Sequence, residues 1–339
     1  MLGSRSVGSP RRLVAPPMPV AAAALALLVL AGCGDEPVDA AAPAASDSAT
    51  FGRDRAALVL TAFDSADSAA SVAGDVEALR TQEVSPSLDL SIAAVRRATY
   101  NKRPQPSFQH LNPAFAVPPG DPACFLATAT LRLAGSELAP TDVSQFVLDA
   151  DGQWKLSHNI QVTQPSLVVA RSIDGRPATE GGEALDETSR RALAAEVFAR
   201  SIGSTTSNRS LVASSPLLDG QFAGGWEVYG QQLAGAGATV RRTMDRAEWS
   251  DCAVEVPTGT LTFLTIHATD TLSPAPDGPA TVKMVPQSPD LIATGHRAPV
   301  SGKSIRVARV ETFLLLVPAQ ATGTSVLGLN DTALTVTAA

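Results

Sequence analysis

Cys124-Phe125-Leu126-Ala127-Thr128-Ala129-Thr130-Leu131-Arg132-Leu133 decides how the chain is read, because it is apolar and β-prone and lacks the three-and-four spacing of a helix. Upstream the pattern is different. From Arg53 to about Lys102, Leu58, Phe63, Val72, Val76, Leu79, Leu88, Ile92 and Val95 recur at spacings near three, four and seven, which predicts helix. Ser85-Pro86 interrupts it, with Ser85 expected to cap the next helix. From Phe108 onward the period shortens. Asn112 to Val117, Cys124 to Leu133, Val143 to Leu148 and Trp154 to Val162 read as strands, with turns at Pro118-Pro119-Gly120 and Asp151-Gly152. Helices followed by an antiparallel meander predict an α+β unit.

The same order returns in the second half. Asp186 and Glu187 open a helical region through Leu193, Val197 and Ile202, and another covers about Phe222 to Met244. Strand-like runs follow at Cys252 to Val256, Leu261 to Leu272, Ala280 to Val285, Ile305 to Val317 and Ser325 to Val336. Ala114-Phe115-Ala116-Val117-Pro118 stands where Ala253-Val254-Glu255-Val256-Pro257 does, and Phe125 to Leu131 parallels Phe263 to Thr269. The expected organisation is a first α+β domain over 52–165, a linker over 166–185 and a second, similar domain over 186–339. Helices covering a curved antiparallel sheet resemble the nuclear-transport-factor-2-like or cystatin-like folds.

The first residues carry an address. Arg5, Arg11 and Arg12 come with no acidic residue, then an apolar run from Val20 to Leu30, then Leu30-Ala31-Gly32-Cys33. Basic start, short apolar stretch and small residues before a cut are the parts of a signal peptide, and the apolar run is too short to span a membrane as a mature helix. This segment resembles the lipobox of bacterial lipoproteins. It implies a signal peptide over 1–32, cleavage between Gly32 and Cys33, fatty acylation of Cys33 with palmitate or a similar chain, and retention on the extracytoplasmic face of the membrane. Two or more acyl chains anchor stably. The Ala/Pro/Ser/Asp-rich stretch completing 33–51 reads as a tether. Arg11-Arg12-Leu13-Val14 is a loose version of the twin-arginine signal, so both export routes stay open.

The net charge of −7 becomes −10 once the three leader arginines are gone, which argues against nucleic acid as a partner. With Cys33 given to lipid, Cys124 and Cys252 remain. They form either a disulfide between the halves or two separate buried thiols. No CxxC, HxxxH or HExxH spacing suggests a metal, and no cofactor motif survives inspection. Gly295 to Ser304 ends like a phosphate-binding loop, but six residues separate its glycines and a strand follows it. Asp149-Ala150-Asp151-Gly152 reads as a hairpin turn rather than a calcium loop.

Val84-Ser85-Pro86-Ser87-Leu88, the segment Phe108 through Pro118, Phe125-Leu126-Ala127 and Asp151-Gly152-Gln153-Trp154-Lys155-Leu156 follow one another in an order that resembles a family of actinobacterial lipoproteins of unknown function. The second half of that family ends like Arg306 to Pro318. The resemblance covers most of the chain after Cys33 and implies an envelope lipoprotein; it brings no catalytic residues. Relatives often carry an aromatic residue near position 124, so a Cys124–Cys252 bridge would belong to this chain alone.

No GxSxG or SxxK motif provides a nucleophile in the mature chain. Ser157 and His158 are neighbours in a strand and are expected to point to opposite faces. His110, His267 and His296 have no evident partners. The remaining expectation is a pocket at the wide end of a helix-covered sheet, with Tyr100 and Asp149 as candidates in the first half and Trp226, Tyr229 and His267 in the second. The sequence therefore points to a membrane-anchored binding or accessory module, non-enzymatic, meeting a small molecule or an envelope protein. A hydrolase or isomerase with a site in a sheet cavity is one alternative, and a structural or partner-binding role the other.

Overall fold

The computed structural model describes residues 51–120, 122–136, 140–162, 172–180, 185–204, 211–319 and 323–339. Gly32, Cys33, the signal peptide and nearly all of the tether lie outside them. The long helical stretch forms three helices. α1, Arg53–Ala73, stops where Gly74 takes a left-handed φ of 69° and its N–H bonds back to the last turn. α2, Val76–Gln82, starts on Asp75, whose side chain accepts from the Ala78 N–H at 3.0 Å. α3 is Ser87–Tyr100, with Pro86 rather than Ser85 in the N-cap position and no side-chain cap. Proline fits there because its φ is already close to helical and it has no N–H to satisfy.

Four strands follow: β1, Phe108–Ala116; β2, Cys124–Leu133; β3, Thr141–Leu148; and β4, Trp154–Val162. They pair antiparallel in the order β1-β2-β3-β4. Side chains alternate between two burials, as a sheet covered on both faces demands. Phe125 and Ala127 pack with Phe51, Leu60 and Phe63 under the helices, while Cys124 and Leu126 face the other way. Leu156 lies on the helix face and Ile160 on the opposite one, though their spacing is even. A β-bulge explains this: Gln145 pairs with His158 and Phe146 with Leu156, leaving Ser157 as the extra residue.

The second half begins with a short strand β5, Ala178–Glu180, and then α4, Glu187–Ser201, capped by Asp186 accepting from the Ser189 N–H at 2.8 Å. A π-helical turn, Pro216–Phe222, leads into α5, Ala223–Gly235. The helix expected to reach Met244 ends nine residues earlier, since Gly237 adopts φ 71° and breaks the ladder. Next come β6, Ala238–Val256; β7, Gly259–Pro274; β8, Val282–Met284; α6, Pro289–Thr294; β9, Val300–Gly302; β10, Ile305–Val317; and β11, Ser325–Ala338. The main sheet runs β11-β10-β7-β6-β5, antiparallel, and β8 and β9 form a two-stranded ribbon.

This is mixed helix and antiparallel sheet, an α+β fold. The two main sheets bury a common core: Leu126, Val143 and Ile160 of the first meet Val254, Phe263 and Leu314 of the second. α1 covers the outer face of the first sheet. α4 and the π-helical turn cover that of the second through Leu193, Val197 and Leu218 against Leu264 and Phe313. The layers are thus helix, sheet, sheet, helix. Residues 49–339 form one compact unit. Cys124 of β2 and Cys252 of β6 are joined by a disulfide, with Cα atoms 6.0 Å apart. At Gly328 of β11 an added Cβ would sit 2.4 Å from Ile160 Cγ2, so glycine there lets the last strands of the two sheets touch.

Candidate functional site

Each half has a cavity between its helices and its sheet, the first completed by Asn330 and Asp331 of β11. The first, about 400 Å³, lies between α1, α3 and the first sheet. It starts with a problem of strand chemistry. β1 is an edge strand, and its outward N–H groups need acceptors. α1 supplies them: Ser68 Oγ accepts from the Phe108 N–H at 2.9 Å and Asp64 Oδ2 from the His110 N–H at 2.8 Å. Four helical residues rise about 6 Å and two strand residues about 6.6 Å, so the i,i+4 pair matches the i,i+2 pair. Asp64 Oδ1 then takes the ring Nδ1 of His110 at 2.5 Å, and Asp142 Oδ2 of β3 lies 3.5 Å from Nε2. Burial opposes the charge on His110, yet hydrogen bonding and charge from Asp142 and Asp64 win and raise its pKa to about 9. His110 is an imidazolium held between two carboxylates.

Beside it sits a second carboxyl pair. One turn beyond Asp64, Asp67 is 4% exposed and faces Glu83, 1% exposed, which follows α2. The backbone of Glu83 pairs with Leu156 of β4, and Ser91 Oγ donates to Glu83 Oε2 at 3.0 Å. Burial first, then the charge and hydrogen bond of Glu83, push the Asp67 pKa up to about 9. Burial also raises Glu83, against hydrogen bonds from Asp67, Ser87 and Ser91. Two buried carboxyls facing each other share one proton, because burial and their mutual repulsion outweigh the attraction of the His110 charge nearby. Asp67, Glu83, His110 and Asp142 all line the cavity, and Asn159 beside them donates to Asp142 at 3.1 Å. Chemically this wall can accept, hold and return a proton.

The second cavity, about 530 Å³, lies between α5, α6 and the second sheet. Its floor is a cross-strand network. Arg242 of β6 donates to both oxygens of Asp270 at 2.6 and 2.8 Å and to Glu311 at 2.5 Å. Arg309 grips Asp331 at 3.0 and 2.5 Å and Asp290 at 2.7 Å. Burial alone would lower both guanidinium pKa values; the surrounding carboxylates raise them instead. Burial pushes Glu311 up to about 7 despite Arg242. Trp226 and Tyr229 of α5 roof the floor with ring centroids 5.8 Å apart, and the Arg242 guanidinium lies 4.2 Å from the Trp226 ring.

Of the five residues singled out in the sequence, the fold brings Trp226 and Tyr229 together at this cavity. The other three stand apart. Tyr100 ends α3, 46% exposed. Asp149 organises the β3–β4 turn, accepting from the Asp151 and Gln153 N–H groups and pairing with Lys155 at 2.9 Å. His267 lies on β7 near Arg246 and Glu248. The Ser157–His158 expectation is corrected: Nδ1 of His158 is 3.1 Å from Ser157 Oγ, because the bulge turns both to one side. They sit between the sheets, where His158 stacks on Phe263 and is held neutral by burial, its pKa lowered to about 3. His110, read as partnerless, has two carboxylates.

No protein-family model matches the chain, and none of the curated proteins matches it. Among the described residues no group of three or more His, Cys, Asp or Glu is placed to hold a metal ion, and no helix is long and apolar enough to cross a membrane.

Proposed function

We propose that this chain is a lipoprotein of the cell envelope, cut before Cys33, acylated there and held on the extracytoplasmic face of a membrane, where its folded part captures a small polar molecule in the first cavity. The observation that carries the binding reading is the cavity wall itself. Asp67, Glu83 and His110, buried groups with raised pKa values, and the buried Asp142 are gathered from α1, the α2–α3 connection, β1 and β3 into one wall. We read each half as a nuclear-transport-factor-2-like or cystatin-like unit. Supporting this, β1–β4 and β6, β7, β10 and β11 are both four-strand meanders that follow helices. In addition, Ala114–Pro118 and Ala253–Pro257 both close the first strand of their meander.

The test is native mass spectrometry and metabolite extraction of the full chain carrying Cys33→Ser, compared with the same chain carrying Asp142→Ala. Recovery of no small molecule from either form would sink the binding reading. Fatty-acid labelling that persists in Cys33→Ser would refute the anchor. A second reading is favoured by one feature, the proton shared by Asp67 and Glu83: acid–base chemistry on the captured molecule, as in a hydrolase or isomerase. Turnover that survives both Asp67→Asn and Glu83→Gln would exclude it.

A further inference from the structure

The second cavity has two chemically different walls. One is the aromatic pair on α5, three residues apart on a single helix and so presented as a fixed surface. The other is the Arg242–Asp270–Glu311 and Arg309–Asp331–Asp290 floor. It sets two guanidiniums among four carboxylates, of which Asp270 and Glu311 are fully buried, so the part of it that lines the cavity opposes Arg242 and Arg309 to Asp290 and Asp331, and its hydrogen-bonding capacity is not used up. Each guanidinium has five N–H donors, of which the network engages three, and each carboxylate oxygen has two lone pairs. Donors and acceptors therefore lie side by side. A phosphate or carboxylate entering here would meet Asp290 and Asp331, and an ammonium would meet Arg242 and Arg309. A hydroxyl, which both donates and accepts, meets neither penalty. Tyr229 and Gln232 add bifunctional groups at the wall. The apolar C–H face of a sugar ring suits an aromatic side chain, and about 530 Å³ is room for one or two such rings.

We propose that the second cavity binds a neutral pyranose, its apolar face against Tyr229 and Trp226 and its hydroxyls on the Arg309–Asp331–Asp290 floor. The site is a different cavity from the acidic one of the first half, with which it shares Asp331. Isothermal titration of the full chain carrying Cys33→Ser tests it, with glucose and cellobiose as probes and glucose 6-phosphate and glucosamine as charged analogues. The neutral probes should bind saturably and at least about tenfold tighter than either charged analogue. Tyr229→Ala should weaken them about tenfold. The exposed Gln232→Ala, which leaves the fold untouched, should weaken them about threefold. The proposal is overturned by charged analogues binding as tightly as glucose, by binding unchanged in both variants, or by no neutral probe binding at up to about 50 mM.

Discussion

Asp67→Asn should make this protein more stable, and only above acidic pH. The folded pKa of Asp67 is about 9 against an ordinary 3.8. Between those values the folded protein holds a proton that the unfolded chain releases, so stability falls as pH rises through the window. At about 1.4 kcal/mol per pH unit, holding that proton at pH 7 costs on the order of 4 kcal/mol. Asparagine has the shape of the protonated acid and presents an N–H to Glu83 with no proton to hold. Its second N–H is buried as well, and if unmatched costs about 1–3 kcal/mol. At pH 8 the same cost is about 6 kcal/mol and the net gain about 3–5 kcal/mol, and at pH 3.5, where aspartate is mostly protonated in both states, it vanishes or reverses. Urea unfolding of the full chain carrying Cys33→Ser, with and without Asp67→Asn, measures both. An equal effect at the two pH values, or a loss at pH 8, would refute the shared-proton account.

His110 titrates from 6.5 unfolded to about 9 folded, so its contribution is complete below pH 6.5 and lost as pH climbs through 9. His110→Gln should reduce the fall in stability across that window by about one proton, read from urea midpoints at several pH values. Arg242→Met leaves Asp270 and Glu311, both 0% exposed, without their cation, and should cost about 3–5 kcal/mol in thermal unfolding. Adding Asp270→Asn and Glu311→Gln should return most of that loss; a triple variant no better than the single one would contradict the network. The Cys124–Cys252 disulfide spans 128 residues, so Cys252→Ser should lose about 4–5 kcal/mol, with reduction of the parent chain giving a similar drop.

What the sequence made legible was local. Asp186 caps α4 and Asp149 closes a hairpin because each acts within four residues of itself. Trp226 and Tyr229 were visible for the same reason, as neighbours on one helix face. His110 was not, since its partners come from 46 residues before it and 32 after. A signal was nevertheless present: Asp64 and Asp67 stand one and four residues beyond Phe63, on the face of α1 that carries the buried Leu60 and Phe63. Carboxylates on an apolar helix face need a reason, and the edge of β1 is part of it. The same holds for Arg309 and Glu311, which precede Phe313 and Leu315 on the same face of β10. Ser157 and His158 misled because strand parity fails across a bulge, which no single strand announces.

The two cavities are not independent, because β11 borders both. Asn330 donates to the Asn159 carbonyl at 2.8 Å across the sheet boundary, and Asn330 and Asp331 complete the wall of the first cavity. Asp331 is also the partner of Arg309 in the second. The first half alone would therefore lack one wall of its acidic cavity and the inner face of its sheet would lose Val254, Phe263 and Leu314. This gives the joint between the sheets a functional meaning beyond cohesion. Gly328, two residues before Asn330, is where β11 comes close enough to β4 to deliver that wall. A strand held off by even one methyl group there would shift Asn330 and Asp331 together, moving the rim of one cavity and the floor of the other. The close approach at Gly328 and the disulfide at Cys124–Cys252 tie the sheets at two different strand pairs, which fixes both the separation and the relative angle of the layers.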